Sequence, residues 1–424
     1  MSLKPIAPRA IIDRTVTVPG SKSYTHRALI AAALCEGACA VEGMLRSEDT
    51  RITQAALERM GVRTAARGPH LLVHGRGGRF APVADPIEVG NSGTSMRLLA
   101  ALAALGQGAY VLQGSARMAQ RPMGDLLDAL NRLGVGARSL AGNGCPPVQI
   151  QGGRAQGGRV AIDCHLSSQF LSAILLIAPC CRRDVEIEVV RGPVSRPYVD
   201  LTCAVMDRCG IRLERQGYTF FRIPGGQVYR ADRLPVEPDC SQASYFWAAA
   251  ALAGGRVRVA GIGADSLQGD LRFVEVLERM GCRVVRESEG VAVAPGSPLR
   301  GIAVDMADMP DVVPTLAVVA AFAQGATTIS GVGHLREKES DRIAAVAAEL
   351  GRMGIRVETG TDWIRIHGGR PHGATIETYD DHRIAMSFAV AGLRVPGVVI
   401  RRPEVVAKSF PDFWRVFEQL YLES

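Results

Sequence analysis

The sequence of 424 residues is short of several things, and each shortage removes a class of protein. Its longest apolar runs, "FLSAILLIAPCC" and "VVPTLAVVAAFA", fall well below the roughly 20 residues that a membrane-spanning helix needs. The start, "MSLKPIAPRAII", carries no signal-peptide h-region, so a cytoplasmic protein with no membrane partner is expected. The 10 cysteines form no C-x-x-C pair, and neither Cys180-Cys181 nor Cys35 with Cys39 has the spacing of a zinc or disulfide framework. They read as reduced packing residues. Aromatic residues are only 5%, and Lys and Arg are scattered among acids instead of gathered in a tail or stripe, which argues against nucleic acid as a partner. What is present is 47% apolar and 21% charged residues, enough for the cores of two or three domains, with a net charge of +7. A basic balance of that size suits small polyanionic ligands.

A Walker loop is also missing. "VPGSKSYTHRAL", residues 18 to 29, has Lys22 after Ser21, and the place of the first Gly ahead of Gly20 falls on Thr15 beside Val16, so the glycines that would wrap a nucleotide phosphate are absent. What remains is a Pro-Gly turn that feeds polar and cationic residues onto a helix N-terminus, a generic anion site.

Two patterns recur in phase at about 70 residues. One reads "ALERMGVR", "ALNRLGVG", "VMDRCGIR", "VLERMGCR" and "ELGRMGIR", ending near Gly61, Gly134, Gly210, Gly281 and Gly354. Each is an amphipathic helix closed by a Gly able to take the left-handed C′ conformation, with a strand to follow. The other begins at Ser23, Thr94, Ser168, Ser241, Asp311 and Asp381, each marking a polar, cap-rich start to a helix that is apolar nearly all round and must be buried. With β-rich stretches such as "VEIEVV" and "TFFRI" between them, six mixed units predict an α/β (α+β) chain of two domains, three units each. The weakest boundaries lie near residues 14–20 and 225–240, so an inserted domain over 18–237 is expected inside a discontinuous one, 1–17 plus 238–424.

The helix starts carry cations: Lys22 and Arg27 on the first, Arg97 one turn into the second, Arg383 on the sixth. Arg121 precedes Pro122 and a further helix, Lys338, Glu339, Asp341 and Arg342 head the helix that ends at Gly354, and Lys408 follows in "VVAKSFPDFW". One such cation is ordinarily a solvated surface charge, but recurrence at one structural phase points to an anion cleft between two faces of helix N-termini. Gly93 in "EVGNSGTSMR" would let a ligand approach the backbone. Asp311 and Glu339 read blandly as an N-cap and a first-turn charge; functionally they are carboxylates among cations, able to act as bases opposite a Lys. His382 reads as a satisfied helix-start residue, and neither Asp380-Asp381-His382 nor Cys164-His165 has metal-ligand spacing.

In order along nearly the whole chain, "PGSKSYTHRAL", "GNSGTSMR", "RMAQRPMGDLLDAL", "LSSQF", "PVSRPYVD", "MPDVVPTLAV", "LREKESDR", "DDHRIAMSF" and "AKSFPDFW" resemble the motifs of the 5-enolpyruvylshikimate-3-phosphate (EPSP) synthase family. The resemblance implies two domains of three βαβαββ units each, the inverse α/β barrel of enolpyruvyl transferases, crossed twice by the chain. It implies transfer of the enolpyruvyl group of phosphoenolpyruvate to the 5-hydroxyl of shikimate 3-phosphate with release of phosphate, no metal, no organic cofactor, and a monomer. Carried over by motif, Lys22, Ser23, Arg27, Ser167, Ser168, Gln169, Ser195, Asp311 and Lys338 would meet shikimate 3-phosphate. Lys22, Gly93, Arg121, Gln169, Arg342, Arg383 and Lys408 would hold phosphoenolpyruvate. Asp311 with Lys22 would take the 5-hydroxyl proton, and Glu339 or Lys22 would protonate the methylene carbon. The site would be open when empty, close on its substrates, and bind the competitive inhibitor glyphosate beside Gly93. Three positions depart from the family pattern: His334 for a small polar residue, Leu98 for Pro, and Arg196 for Lys. The sister transferase acting on UDP-N-acetylglucosamine carries a Cys that "GSARMAQR" lacks. A non-catalytic anion-binding module, the remaining alternative, would not need Asp311 and Glu339.

Overall fold

A computed structural model of the chain describes residues 2–10, 13–153 and 155–421. Its contacts divide the chain into a middle unit, 20–236, and a terminal unit formed by residues up to Pro19 together with those from Glu237 onward. The middle unit is built round three inner helices, Lys22–Leu34, Gly93–Ala103 and Gln169–Ile177. The terminal unit has Cys240–Ala253, Val313–Ala320 and His382–Gly392. As their all-round apolarity predicts, nearly every residue of these six helices is buried. Amphipathic outer helices, among them Glu48–Arg59, Gly124–Arg132 and Arg342–Arg352, cover them.

The strands form five four-stranded sheets and one three-stranded sheet among the described residues. The repeat is clearest in the second unit of the middle domain. Strand Ile87–Glu88 runs parallel to Ala109–Gln113, which pairs antiparallel with Val148–Gln151, and Gly136–Ser139 closes the edge. With the helices at Gly93–Ala103 and Gly124–Arg132, the order is βαβαββ. The turns after the outer helices are tight because Gly61, Gly134, Gly210, Gly281 and Gly354 all take positive φ, from 75° to 116°. Each serves as the left-handed terminator expected there.

Two sheets recruit a strand from far along the chain. Arg233–Pro235 lies parallel to Glu36–Glu42, and Asp13–Val16 lies parallel to Arg256–Ala260. Each strand that precedes a passage between units therefore stays with the unit the chain is leaving. The sixth repeat departs from the pattern: its sheet joins Leu3–Pro5, Val399–Arg401 and Thr375–Ile376. Where the other units have a hairpin, this one has the helix Phe413–Glu418, carrying Phe413, Trp414 and Phe417, which packs edge-on against Tyr245 and Phe410. Aromatic burial there replaces the ladder hydrogen bonds of a hairpin.

Candidate active site

In the middle unit Ser21 caps the first inner helix, its hydroxyl accepting from the Tyr24 N–H, and the cap sets Lys22 and Ser23 at the helix mouth. Lys22 is buried, with Nζ 3.2 Å from Asp49 Oδ2 on the neighbouring outer helix, so the bland surface-charge reading fails for it. Arg27, one turn on, is 2% exposed. Its Nε donates to Thr202 Oγ1 (2.7 Å), Nη1 to the Ser23 carbonyl (2.9 Å) and Nη2 to Ser172 Oγ (3.1 Å), and it lies over the Tyr198 ring. Burial pulls its pKa down to about 10 against the opposing influence of Tyr198 and Cys203. The groups that accept from this guanidinium are all neutral.

Gly93 opens the second inner helix, and a Cβ there would come within 2.4 Å of Arg97 Nη1 and 2.5 Å of Arg121 Nη2. The missing side chain therefore makes room for two guanidinium groups. Arg121 donates from Nη1 to the carbonyl (3.2 Å) and the side-chain oxygen (3.4 Å) of Asn91, and Arg97 donates from Nη2 to the Pro122 carbonyl (3.1 Å). Gln169, first residue of the third inner helix, donates through Nε2 to Thr94 Oγ1 (3.0 Å), which sets two helix N-termini side by side. Its own N–H donates to Ser167 Oγ, while Ser168 is buried beside it. Ser195 is buried with φ 55°, and its carbonyl accepts from the N–H of Tyr198, the residue under Arg27.

The terminal unit gathers its residues differently. Arg342, 2% exposed, donates from Nη1 to Asp311 Oδ1 (3.0 Å), from Nη2 to Glu339 Oε2 (2.8 Å) and from Nε to Asp381 Oδ2 (2.8 Å). Burial alone would lower its pKa, but the carboxylates of Asp381, Glu339 and Asp311 together raise it. Arg383 donates from Nη2 to the other Asp311 oxygen (2.7 Å) and to Ser241 Oγ (3.2 Å). Asp311 so bridges two arginines, yet its side chain keeps 19% exposure. It sits inside the single turn Pro310–Val312, and the N-cap positions of that turn and of the helix that follows are Met309 and Val312, which overturns the N-cap reading. Glu339 lies before the helix whose cap is Asp341, so it is not a first-turn charge either.

Asp381 is fully buried, caps its helix through the Arg383 N–H (3.0 Å) and accepts from Ser340 Oγ (3.0 Å). In the sequence it was only a phase marker; as the third carboxylate on Arg342 it is a site residue that spacing does not reveal. Lys408 is buried at the end of the turn Pro403–Lys408, and Gln242 Nε2 holds the next residue, Ser409, at its Oγ (3.1 Å) and carbonyl (3.3 Å). Lys338 ends the turn Gly333–Glu337, on which His334 is buried. Burial, with added repulsion from Lys338 and Arg342 that Asp311 partly offsets, takes the His334 pKa down to about 3, so this imidazole is neutral.

The residues expected at the site are divided between the two units. Lys22, Ser23, Arg27, Gly93, Arg121, Ser167, Ser168, Gln169 and Ser195 lie in the middle unit, and Asp311, Lys338, Glu339, Arg342, Arg383 and Lys408 in the terminal one. Sequence reasoning missed Asp49, Ser172, Thr202 and Asp381, all of them buried polar residues. Among the described residues no group of three or more His, Cys, Asp or Glu could hold a metal ion, and no helix is long and apolar enough to cross a membrane.

The family model described as EPSP synthase (3-phosphoshikimate 1-carboxyvinyltransferase) matches residues 6–417. The 3-phosphoshikimate 1-carboxyvinyltransferase of Syntrophobacter fumaroxidans is 46% identical over 98% of this chain and 99% of its own length. That of Methanoculleus marisnigri is 47% identical over 97% of each. Among solved structures, EPSP synthase from Acinetobacter baumannii superposes with a TM-score of 0.82 at 30% identity, covering 99% of this chain and 98% of the other. The enolpyruvyl transferase NikO from Streptomyces tendae, with a TM-score of 0.79 at 22% identity over 99% and 97% of the two chains, shares the fold.

Proposed function

From the premise that this chain belongs to the EPSP synthase family, we propose how its two units divide the work of that family's reaction. The chain is a 3-phosphoshikimate 1-carboxyvinyltransferase of the shikimate pathway: it moves the enolpyruvyl group of phosphoenolpyruvate to the 5-hydroxyl of shikimate 3-phosphate and releases phosphate. Our reading of the residues is that Ser23, Arg27, Ser167, Ser168, Gln169 and Ser195 hold shikimate 3-phosphate, joined by Lys22, Asp311 and Lys338. Gly93, Arg121, Arg342, Arg383 and Lys408, with Lys22 and Gln169, hold phosphoenolpyruvate. Neither unit alone has the whole set, so the reaction draws on both.

The chemistry follows from the groups. The 5-hydroxyl oxygen adds to C2 of phosphoenolpyruvate, its proton passing to Asp311 with help from Lys22, while Glu339 or Lys22 supplies a proton to C3. The product is a tetrahedral adduct. In the second step C3 returns a proton, the C2–C3 double bond reforms, and the C2–O bond to phosphate breaks with its electron pair leaving on the phosphate oxygen. Arginines and lysines fixed by burial hold the two polyanions together and stabilise the charge that develops on the leaving group. The observation that carries this reading is Asp311, a partly exposed carboxylate fixed through both oxygens by Arg342 and Arg383. A binding module would have no use for it. We further read the protein as a cytoplasmic monomer that needs no metal and no organic cofactor.

The test is phosphate release in metal-free buffer from phosphoenolpyruvate with shikimate 3-phosphate, against the same assay with UDP-N-acetylglucosamine. Release with the first acceptor only is the expected result, and release with the second only would assign the chain to the sister reaction.

A further inference from the structure

Four non-glycine residues among those described have left-handed backbone: Ser195, Tyr379, Asp380 and Arg402, with φ between 53° and 55°. Side-chain-bearing residues hold that conformation only where the surroundings over-determine it, and such positions gather at functional sites. Two of the four are consecutive and lead directly into Asp381, and a third, Arg402, is ion-paired to Asp380 (2.5 Å). The turn 377–381 is therefore held in place from outside.

What holds it is Glu349. This carboxylate is fully buried, on the same helix, Arg342–Arg352, that begins with Arg342. Oε2 accepts from the Glu377 N–H (3.1 Å) and Oε1 from Tyr379 Oη (2.6 Å). Seven residues separate Glu349 from Arg342, about two helical turns, so both side chains leave one face. One helix face grips the turn at two points: Glu349 takes Glu377 and Tyr379, and Arg342 takes Asp381 (2.8 Å). The turn in its strained form delivers Asp381 to Arg342 Nε and to the Arg383 N–H at once.

We infer that Glu349 is a positioning residue for the phosphoenolpyruvate half of the reaction, fixing the Tyr379–Asp380 turn so that Asp381 aims the Arg342 guanidinium and caps the helix on which Arg383 stands. The inference rests on the reading of those two arginines given above. In Glu349→Gln the amide matches Glu349 in size but cannot accept at both positions, so either the Glu377 N–H or Tyr379 Oη loses its acceptor. The turn can then relax toward ordinary backbone and carry Asp381 with it.

The test is steady-state kinetics with both substrates varied. Glu349→Gln should raise KM for phosphoenolpyruvate about tenfold or more, as a misplaced binding group does, while KM for shikimate 3-phosphate changes less than about twofold. Tyr379→Phe removes one partly exposed bond and leaves the fold intact; it should move the same constant in the same direction by about threefold. Adding Asp380→Gly to Glu349→Gln should restore much of the loss, because Gly takes left-handed backbone without external support. Equal rises in both KM values, no rise in either, or absence of rescue would each overturn the positioning role. Arg342→Lys separates the two levels of argument: if it too leaves KM for phosphoenolpyruvate unchanged, the assignment of the arginine fails; if it raises that constant and Glu349→Gln does not, only the positioning role fails.

Discussion

Arg27 and Arg342 are equally buried at the heads of helices in two units built from one repeat, yet their surroundings are opposite. Arg27 is met by two hydroxyls, a carbonyl and an aromatic ring, and burial lowers its pKa to about 10. Arg342 is met by three carboxylates that outweigh the same burial and raise its pKa. A buried charge costs several kcal/mol unless paired; the terminal unit meets that cost for Arg342 with carboxylates, whereas Arg27 meets only neutral partners, which on the proposed reading leaves part of the cost for an anionic ligand to offset. The difference teaches that position in the repeat sets where a cation stands, whereas its partners set what it is for. On the proposed reading, the guanidinium of the middle unit is a receptor. In the terminal unit it also orients Asp311 and Glu339.

The largest expected way to break this contrast is Lys22→Met. Lys22, unlike Arg27, has a carboxylate partner, Asp49, and its proposed role is both to bind and to carry a proton. Turnover should fall by at least about a hundredfold. Loss of the buried Lys22–Asp49 pair should also lower stability, by about 1–3 kcal/mol, which thermal unfolding can measure separately. Near-normal turnover in the folded variant would remove Lys22 from the chemistry.

A smaller effect sharpens the contrast on the terminal side, where His334 is held neutral among Lys338, Arg342 and Asp311. Its folded pKa lies near 3, below the ordinary 6.5, so the unfolded chain binds a proton that the folded chain refuses. The stability due to this group is complete above pH 6.5 and is lost as pH falls toward 3. By pH 5.5 the loss should be about 1 kcal/mol. His334→Asn should flatten the fall of Tm between pH 7 and 5.5, and an unchanged slope would show that the imidazole titrates normally.

Much of this architecture is legible in the sequence because it repeats. The buried helices and the left-handed glycines recur at about 70 residues, and both rest on local rules of periodicity and capping that do not need distant contacts. The sixth unit was not legible: its missing hairpin is replaced by aromatic packing with Tyr245, more than 150 positions away. The site divides the same way. Cations at helix starts could be read off the chain, but Asp311 pairs with residues 31 and 72 positions distant, so spacing suggested an N-cap instead. Asp381 and Glu349 stayed hidden for the same reason. Each looks like an ordinary helix charge until the fold brings Arg342 or the Tyr379 turn against it.

The most direct test of the contrast is calorimetric titration of shikimate 3-phosphate alone into Arg27→Lys and Arg342→Lys, with turnover measured on the same preparations. Lys cannot reproduce the fork of a guanidinium, so both variants should lose turnover. Only Arg27→Lys should lose affinity for shikimate 3-phosphate, by at least about tenfold, while Arg342→Lys binds it within about twofold of the unaltered protein. Equal loss of affinity in both variants, or full affinity in Arg27→Lys, would contradict the assignment of receptor and orienting roles to the two arginines.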